Sequence, residues 1–313
     1  MSFFPGRDPE PGDACAVDSI ETLIIPRTSD IGGLEVRRAL PTAKRRLVGP
    51  FIFFDRMGPA LLRPGEAVDV KPHPHIGLST VTYLFDGKIR HRDSLGTEMV
   101  IAPGDVNLMT AGRGIVHSER SPEELRGNPL SISGLQTWLA LPDAVEEMTP
   151  TFANTAALEL PVIEDKGVEA RLIIGALHGQ RSPVTQYSDT LYADIRIAPS
   201  GRFVIPANAA EERAIYILDG AVEISGETFP ADRLLAFRAG DEIVISAAEG
   251  RAAHIMLFGG AAISSKRYIW WNFVSSSKER IEQAKEEWRT GRFDIVPGDE
   301  EEFVPLPGEV RSV

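Results

Sequence analysis

Cysteine is nearly absent from this sequence: Cys15 is the only one in 313 residues. One thiol cannot close an internal disulfide, and a chain without disulfides is typical of a reducing compartment. Long apolar runs are missing too, and none approaches the roughly 18 residues that a membrane-spanning helix needs. The first residues, MSFFPGRD, lack the basic segment and apolar core of a signal peptide. We therefore expect a cytoplasmic protein that does not act at a membrane.

Basic residues are in deficit: 33 Lys and Arg face 45 Asp and Glu, which gives a net charge of -12. This balance argues against a dedicated nucleic-acid surface, because such a surface needs a basic patch. It leaves open a partner that itself binds DNA. Hydrophobic residues make up 43% of the chain and charged residues 25%, as is ordinary for a globular protein. The length suits two domains.

Two short motifs concentrate the candidate metal ligands. His73-Pro74-His75 and His117-Ser118-Glu119 each place two such side chains two residues apart. On a β-strand this spacing points both side chains to the same face. If the two strands are neighbours in one sheet, the four groups converge. Three imidazoles and one carboxylate suit a first-row transition metal, and iron(II) is a natural occupant. The structural alternative is a set of histidines that only form hydrogen bonds inside a barrel.

The residues around these motifs resemble those of the pirins, a family of two-domain cupins. The matching text lies at residues 40–41, 45–51, 54–55, 72–75, 91–96, 103–105, 109–119 and 270–276. The resemblance implies an all-β bicupin, with two antiparallel β-barrel (jelly-roll) cupin domains and a short C-terminal helix. It also implies that His73, His75, His117 and Glu119 bind iron. Ser79 and Thr80 stand where other cupins often carry a glutamate, so the carboxylate ligand is expected from Glu119.

The second half of the chain repeats the first in outline. Gly220 follows Asn208 by twelve residues, just as Gly87 follows His75 by twelve. This match sets Asn208 against His75 and Pro206 against His73. Proline has no donor side chain, and one asparagine alone is a poor iron ligand. We therefore expect one iron(II) ion per chain, in the N-terminal domain.

The predicted domain organisation follows from this repeat. We expect a flexible leader at 1–20, a metal-binding cupin at 21–145, a linker at 146–165, a cupin without metal at 166–262 and a tail at 263–313. The tail is predicted to contain a helix at about 277–290. Ser276 and Glu279 have the spacing of a capping box, and Gly291 suits the position just past the helix end. In pirins this tail returns toward the first domain.

Several single residues are open to two interpretations. The isolated histidines His91, His178 and His254 are interpreted as hydrogen-bonded structural residues rather than ligands. Trp138 could form the floor of a substrate pocket, but a buried core tryptophan is the commoner case. Residues 57–68, which contain two glycines and two prolines, are predicted to form a loop.

The resemblance implies an oxidoreductase of the quercetin 2,3-dioxygenase type. In that chemistry the flavonol hydroxyl binds the metal as an oxyanion, a carboxylate accepts its proton, and O₂ opens the ring with release of carbon monoxide. Glu119 is then both ligand and catalytic base. The first alternative is a metal-dependent regulator that binds a transcription factor or a metabolic enzyme. The second is an iron cupin enzyme with an unidentified small-molecule substrate. A recombinant sample could carry nickel, zinc or copper instead of iron.

Overall fold

The computed structural model describes residues 18–31, 34–248 and 250–309. Cys15 and nearly all of the predicted leader at 1–20 lie outside these ranges. The strands of the first half are β1 (Ile20–Ile24), β2 (Arg27–Ile31), β3 (Leu34–Leu40), β4 (Phe51–Leu62), β5 (Asp69–His75), β6 (Leu78–Asp86), β7 (Ile89–Asp93), β8 (Glu98–Ile101), β9 (Val106–Thr110), β10 (Ile115–Arg120), β11 (Leu130–Ala140) and β12 (Thr151–Thr155).

The second half continues with strands, and an α-helix follows near the end of the chain. Its elements are β13 (Val162–Asp165), β14 (Val168–Ile174), β15 (Ala176–Leu177), β16 (Gln180–Arg181), β17 (Thr190–Ile197), β18 (Arg202–Ile205), β19 (Glu212–Asp219), β20 (Ala221–Ile224), β21 (Glu227–Pro230), β22 (Arg233–Phe237), β23 (Ile243–Ala247), β24 (Ala253–Gly260), β25 (Tyr268–Trp270), β26 (Phe273–Ser275) and α1 (Lys278–Arg289). Short 3₁₀ turns occupy Glu123–Leu125 and Ala157–Glu159.

The chain divides into two compact units that are not continuous in sequence. The first, here called the histidine unit, comprises in its described parts residues 28–31 and 34–37, Phe54–Ala157 and residues 263–309. The second unit comprises residues 18–27, Arg38–Phe53 and the described part of Leu158–Ala262. The domain boundaries predicted from the sequence run continuously along the chain instead, and they stay a prediction. Residues 146–165, the predicted linker, contribute β12 to one seven-stranded sheet and β13 to the other.

Each unit is built from one seven-stranded and one four-stranded antiparallel sheet. In the histidine unit the strand orders are β12-β9-β6-β11-β4-β3-β2 and β5-β10-β7-β8. In the second unit they are β1-β22-β19-β24-β17-β14-β13 and β18-β23-β20-β21. The predicted all-β architecture, made of two similar halves with one helix near the C-terminal end, is confirmed.

Strand β6 shows how the sequence produces these sheets. Its residues, LSTVTYLFD, are mostly β-branched or aromatic, and such side chains favour the pleated conformation. The first seven are buried, since β6 lies between β9 and β11 in the middle of its sheet. The turn that follows uses Gly87 at φ 83°, a backbone conformation open to glycine. The polar side chains of β6 are therefore held inside the unit.

Residues 57–68, predicted as a loop, include the end of β4, which runs to Leu62. That part of the prediction is wrong. Gly58 adopts φ 62° and precedes a cis peptide bond to Pro59, and β4 continues through both residues. The glycine and proline that suggested a loop mark an irregularity within a paired strand.

The helix α1 lies within the predicted range and ends as predicted, with Gly291 at φ 69° just beyond it. Its N-cap is Ser277 rather than Ser276, because the Ser277 hydroxyl accepts the hydrogen bond from the Arg280 amide. Ile281 and Ala284 are buried in one apolar cluster, and Trp288 packs against it. None of the helices in the described ranges has the length and apolar character to cross a membrane.

The tail at 263–309 packs within the histidine unit, as the family resemblance implied. Phe273 forms a bridge to Ile76, directly after β5, and both are fully buried. Further along, the Val304 amide donates a hydrogen bond to the Pro72 carbonyl at 2.8 Å. Arg120 on β10 pairs with Asp299 at 2.7 Å. The tail therefore contacts both strands that carry the candidate ligands.

Candidate metal centre

The two ligand motifs lie on neighbouring antiparallel strands. In the pairing of β5 with β10, His117 is directly opposite His73, and His75 is opposite Ile115. The register then shifts by one residue, so that Glu119 pairs with Val70. On its other side β10 pairs with β7, which places His91 opposite Glu119. The predicted neighbour relationship of the two motifs is present.

Three histidines converge on one point. Ring nitrogens of His73, His75 and His117 lie within 4.8 Å of one another. The ring centroids are 4.4 Å apart for His73 and His117, and 4.9 Å apart for His75 and His117. The three side chains are 8%, 1% and 1% exposed, in chain order. The Glu119 carboxylate is not part of this close group.

Burial keeps these imidazoles neutral. It lowers the pKa of His73 to about 4. The hydrogen bond to the Lys71 carbonyl partly offsets this effect, because it stabilises the charged form. Burial, followed by repulsion from His73, holds the pKa of His75 well below its usual value. The pKa of His117 is lowered in the same way. Neutral imidazole is the form that binds metals, so the three rings offer lone pairs at neutral pH.

The histidine ring nitrogens show whether a metal ion fits. Both ring nitrogens of His75 and Nε2 of His117 are buried without a hydrogen-bond partner. Buried polar atoms in this state are rare, because each loses its bonds to water without replacement. His73 donates from Nδ1 to the Lys71 carbonyl at 2.8 Å, which leaves the lone pair on Nε2. The donor set therefore fits a transition metal ion bound by imidazole nitrogens.

Glu119 lies in a polar group at the edge of the site. The Gln136 amide donates to Glu119 Oε1 at 3.4 Å, and the Thr82 hydroxyl donates to Gln136 Oε1 at 2.7 Å. Burial raises the pKa of Glu119, and His91 together with these two hydrogen-bonding side chains partly offsets the effect. Sequence reasoning missed Thr82 and Gln136. They are cross-strand partners on β6 and β11, and only the register of that pair brings them together.

Trp138 lies beside the histidines. Its ring meets that of His75 edge-on at 5.2 Å, and the side chain is 8% exposed. Thr80 is opposite Trp138 across β6 and β11 and is buried as well. Trp138 is therefore a buried residue that also contacts one of the three rings, and its role in a substrate pocket stays a prediction.

The corresponding positions of the second unit differ. Asn208 is exposed, and the Pro206 carbonyl accepts a hydrogen bond from the guanidinium of Arg213 at 2.9 Å. Arg213 is fully buried and also donates to the carbonyls of Asp241 and Arg238. A fixed cation bound by main-chain oxygens thus lies beside the residue aligned with His73. Sequence reasoning missed this arginine, because a lone arginine in a strand carries no signal of burial.

The remaining histidines have partners of their own. His178 Nε2 lies 3.0 Å from the Val204 carbonyl, and His254 Nε2 lies 2.5 Å from Asp194. His91 Nε2 lies 3.1 Å from Asp93. The interpretation of these three as hydrogen-bonded residues agrees with their contacts.

Both units contain a seven-stranded and a four-stranded sheet, and one unit also holds a buried group of three histidines. These features define a two-domain cupin with a candidate metal site. Comparison with known proteins assigns the family. The pirin family model matches residues 33–139, and the model of the pirin C-terminal cupin domain matches residues 192–294. The chain belongs to the pirin family.

Individual relatives extend over nearly the whole chain. A pirin-like protein of Caulobacter vibrioides is 46% identical over 291 residues, which are 92% of this chain and 99% of the relative. A protein of Pseudomonas aeruginosa, provisionally named a quercetin 2,3-dioxygenase, is 36% identical over 294 residues, 91% of this chain and 90% of the relative. The crystal structure of a quercetin 2,3-dioxygenase from Acinetobacter baumannii superposes with a TM-score of 0.84 at 33% identity, covering 93% of this chain and 97% of that one.

Proposed function

We propose that this protein is an iron(II)-dependent dioxygenase that opens the heterocyclic ring of flavonols such as quercetin with O₂. The observation that carries the proposal is the convergence of three buried, neutral histidines whose ring nitrogens include three without partners. The two relatives named for quercetin 2,3-dioxygenase activity, at 36% and 33% identity, support the substrate class. Small-molecule substrate and O₂ are the expected partners.

Each histidine has a role in holding the ion. His73, His75 and His117 would bind it, and Glu119 would supply a fourth ligand. A ferrous ion with open positions polarises a bound hydroxyl and activates O₂. The three rings are buried, and burial strengthens electrostatic interactions within the site.

Glu119 would also be the base that accepts the flavonol hydroxyl proton. A general base must be within hydrogen-bond reach of the proton and must have a pKa suited to accepting it. Burial raises the pKa of Glu119, which is the direction that favours proton acceptance. A carboxylate that binds a cation stays ionised, so the base role would require Glu119 to be free of the ion when it accepts the proton. Gln136 and Thr82 would hold the carboxylate for this role, since they donate toward Glu119 Oε1 at 3.4 and 3.5 Å.

The proposal is tested by loading the purified protein with iron(II) without oxygen, measuring the bound metal, and then adding air and quercetin. We expect loss of the long-wavelength absorbance of quercetin together with release of carbon monoxide. Full iron occupancy without turnover would contradict the flavonol assignment. If such inactive protein captured a protein partner in one oxidation state of iron only, a regulatory role would replace the enzymatic one. Turnover of another small molecule would instead identify a different substrate.

A further inference from the structure

A buried acid and a second histidine lie behind one of the three converging rings. His117 Nδ1 is 3.4 Å from His91 Nδ1, and His91 Nε2 is 3.1 Å from Asp93 Oδ2. His91 is 3% exposed and Asp93 is not exposed at all. The ring of His91 also stacks on Phe152 at 4.7 Å with an angle of 25° between the planes. These residues are therefore held in one orientation.

The carboxylate of Asp93 is fixed by the turn that follows β7. Its Oδ1 accepts hydrogen bonds from the amides of Leu95 and Thr97 at 2.9 and 3.1 Å. Ser94 ties the same turn to β10, because its amide donates to the Val116 carbonyl at 2.8 Å. Oδ2 is thus left to face His91, and the turn is anchored next to His117.

The chemistry of the donors and acceptors determines where each proton is. A carboxylate oxygen accepts, so His91 donates to Asp93 from Nε2, and as a neutral imidazole it presents the lone pair of Nδ1. His117 must then donate from its own Nδ1. This arrangement leaves the lone pair of His117 on Nε2, which is the atom buried without a partner.

We propose that Asp93 and His91 are positioning residues that hold His117 in the tautomer whose Nε2 can bind a metal ion. The inference rests on the proposed metal site, but not on the substrate. His73 has its tautomer set by a main-chain carbonyl, whereas His117 has it set by two side chains that mutation can change. Contacts of this kind to a metal-binding histidine contribute about 10–100-fold to metal affinity.

The first test uses the metal-free wild-type protein with ¹⁵N-labelled histidine. NMR correlations between ring nitrogens and ring protons assign the tautomer of each imidazole. We expect the proton of His117 on Nδ1 and that of His91 on Nε2. The reverse assignment at either ring would overturn the proposal, and this measurement requires no variant.

The second test is Asp93→Asn, which keeps the shape of the side chain. The amide oxygen can still accept from Leu95 and Thr97, but the amide nitrogen donates toward His91 Nε2. His91 then carries its proton on Nδ1, and His117 is driven to the tautomer with its proton on Nε2. We expect the apparent Kd for cobalt(II), measured by competition with a chelator, to rise about 10–100-fold, with the tautomer change visible by NMR.

The matched control is Asp86→Asn. Asp86 also accepts a hydrogen bond from a backbone amide, that of Gly87 at 2.9 Å, but it does not contact a histidine. The cobalt(II) affinity of Asp86→Asn should stay within about twofold of wild type. If Asp93 had only a structural role, the tautomer of His117 would not change in Asp93→Asn. The cobalt(II) affinity of Asp93→Asn would then equal that of the control. These results would refute the proposal. Neither readout requires turnover, so loss of the flavonol assignment would not affect the result.

Discussion

His117 lies directly opposite His73 across β10 and β5, with the two ring centroids 4.4 Å apart. Since both strands are antiparallel neighbours in one four-stranded sheet, a small main-chain displacement in either moves a ring of the site. His75, two residues along β5, completes the group from the same face. The centre thus depends on strand pairing as much as on the identity of the three residues.

Replacing His75 should abolish metal binding. His75→Ala removes one of three converging donors, so we expect bound iron(II) to fall from about one ion per chain to near zero in metal analysis after anaerobic loading. The matched control is His178→Ala, because His178 is exposed and bonds a main-chain carbonyl in the second unit. Equal metal content in both variants would show that the site lies elsewhere.

Glu119→Gln should separate the two roles proposed for this carboxylate. The amide oxygen can remain near the ion, but it cannot accept the substrate proton. We expect kcat for quercetin to fall by about 10²–10⁴, the usual contribution of a general base, with a much smaller loss of iron affinity. Glu119→Ala should reduce both. Turnover that survives in Glu119→Gln would remove the base role, and iron affinity unchanged in Glu119→Ala would remove the ligand role.

The metal-free protein should lose stability as the pH falls from about 6.5 to about 4. His73 has a pKa of about 4 in the folded state and about 6.5 when unfolded, so the unfolded state binds more protons within this window. Protonation of His73 in the unfolded state therefore lowers the free energy of unfolding as the pH falls through this window, by about 3 kcal/mol for this one residue.

Urea unfolding at several pH values measures this loss. His73→Gln should flatten the curve relative to wild type, because the variant has no imidazole to protonate at this position. Acid-sensitive groups away from the site are common to both proteins and cancel in the difference, whereas His75 and His117 lose the repulsion from His73 and add to the flattening. Parallel curves for the two proteins between pH 4 and 6.5 would show that His73 is not held neutral by burial.

Gly77→Ala should destabilise the unit around the histidines. Gly77 has φ 68°, and a Cβ atom there would overlap the Val274 carbonyl of the tail. Gly65→Ala is the control, because Gly65 has φ 90° with open space around it. Both variants carry the backbone cost of a positive φ, about 1 kcal/mol or more, and only Gly77→Ala adds the overlap. Equal losses of unfolding free energy would show that the tail yields at this point.

The strands that carry the candidate ligands could be predicted from the sequence better than the residues that pack around them. The spacing of His73 and His75 predicted that these two side chains share a face, because alternation is a local property of a strand, and His117 joins them, while Glu119 as a ligand stays a prediction. The positions of Thr82, Gln136 and Trp138 depend on the register between β6 and β11, which are separated by some fifty residues, and the sequence carries no direct signal of it. The same reason explains why Arg213 was missed.

Local sequence signals also predicted the existence of a helix or strand better than the residue at which it begins or ends. The helix α1 was predicted, but its cap lies at Ser277, because the spacing rule fits Ser276 and Ser277 almost equally well. Gly58 and Pro59 suggested a loop, while strand pairing on both sides of β4 carried the chain through them. Pairing with strands distant in the sequence therefore determined the secondary structure where local propensity did not.

Because residues 263–309 are the last described part of the chain to be synthesised, their packing against β5 sets an order of events during translation. The Val304 amide can reach Pro72, and Phe273 can cover Ile76, only after strands β1 to β24 have been synthesised. Since β5 is the outer strand of its four-stranded sheet, this side of the strand is covered only once residues 263–309 have packed against it. We expect metal loading to follow the packing of this segment, and a truncation that removes Phe273 and Val304 to interfere with metal acquisition.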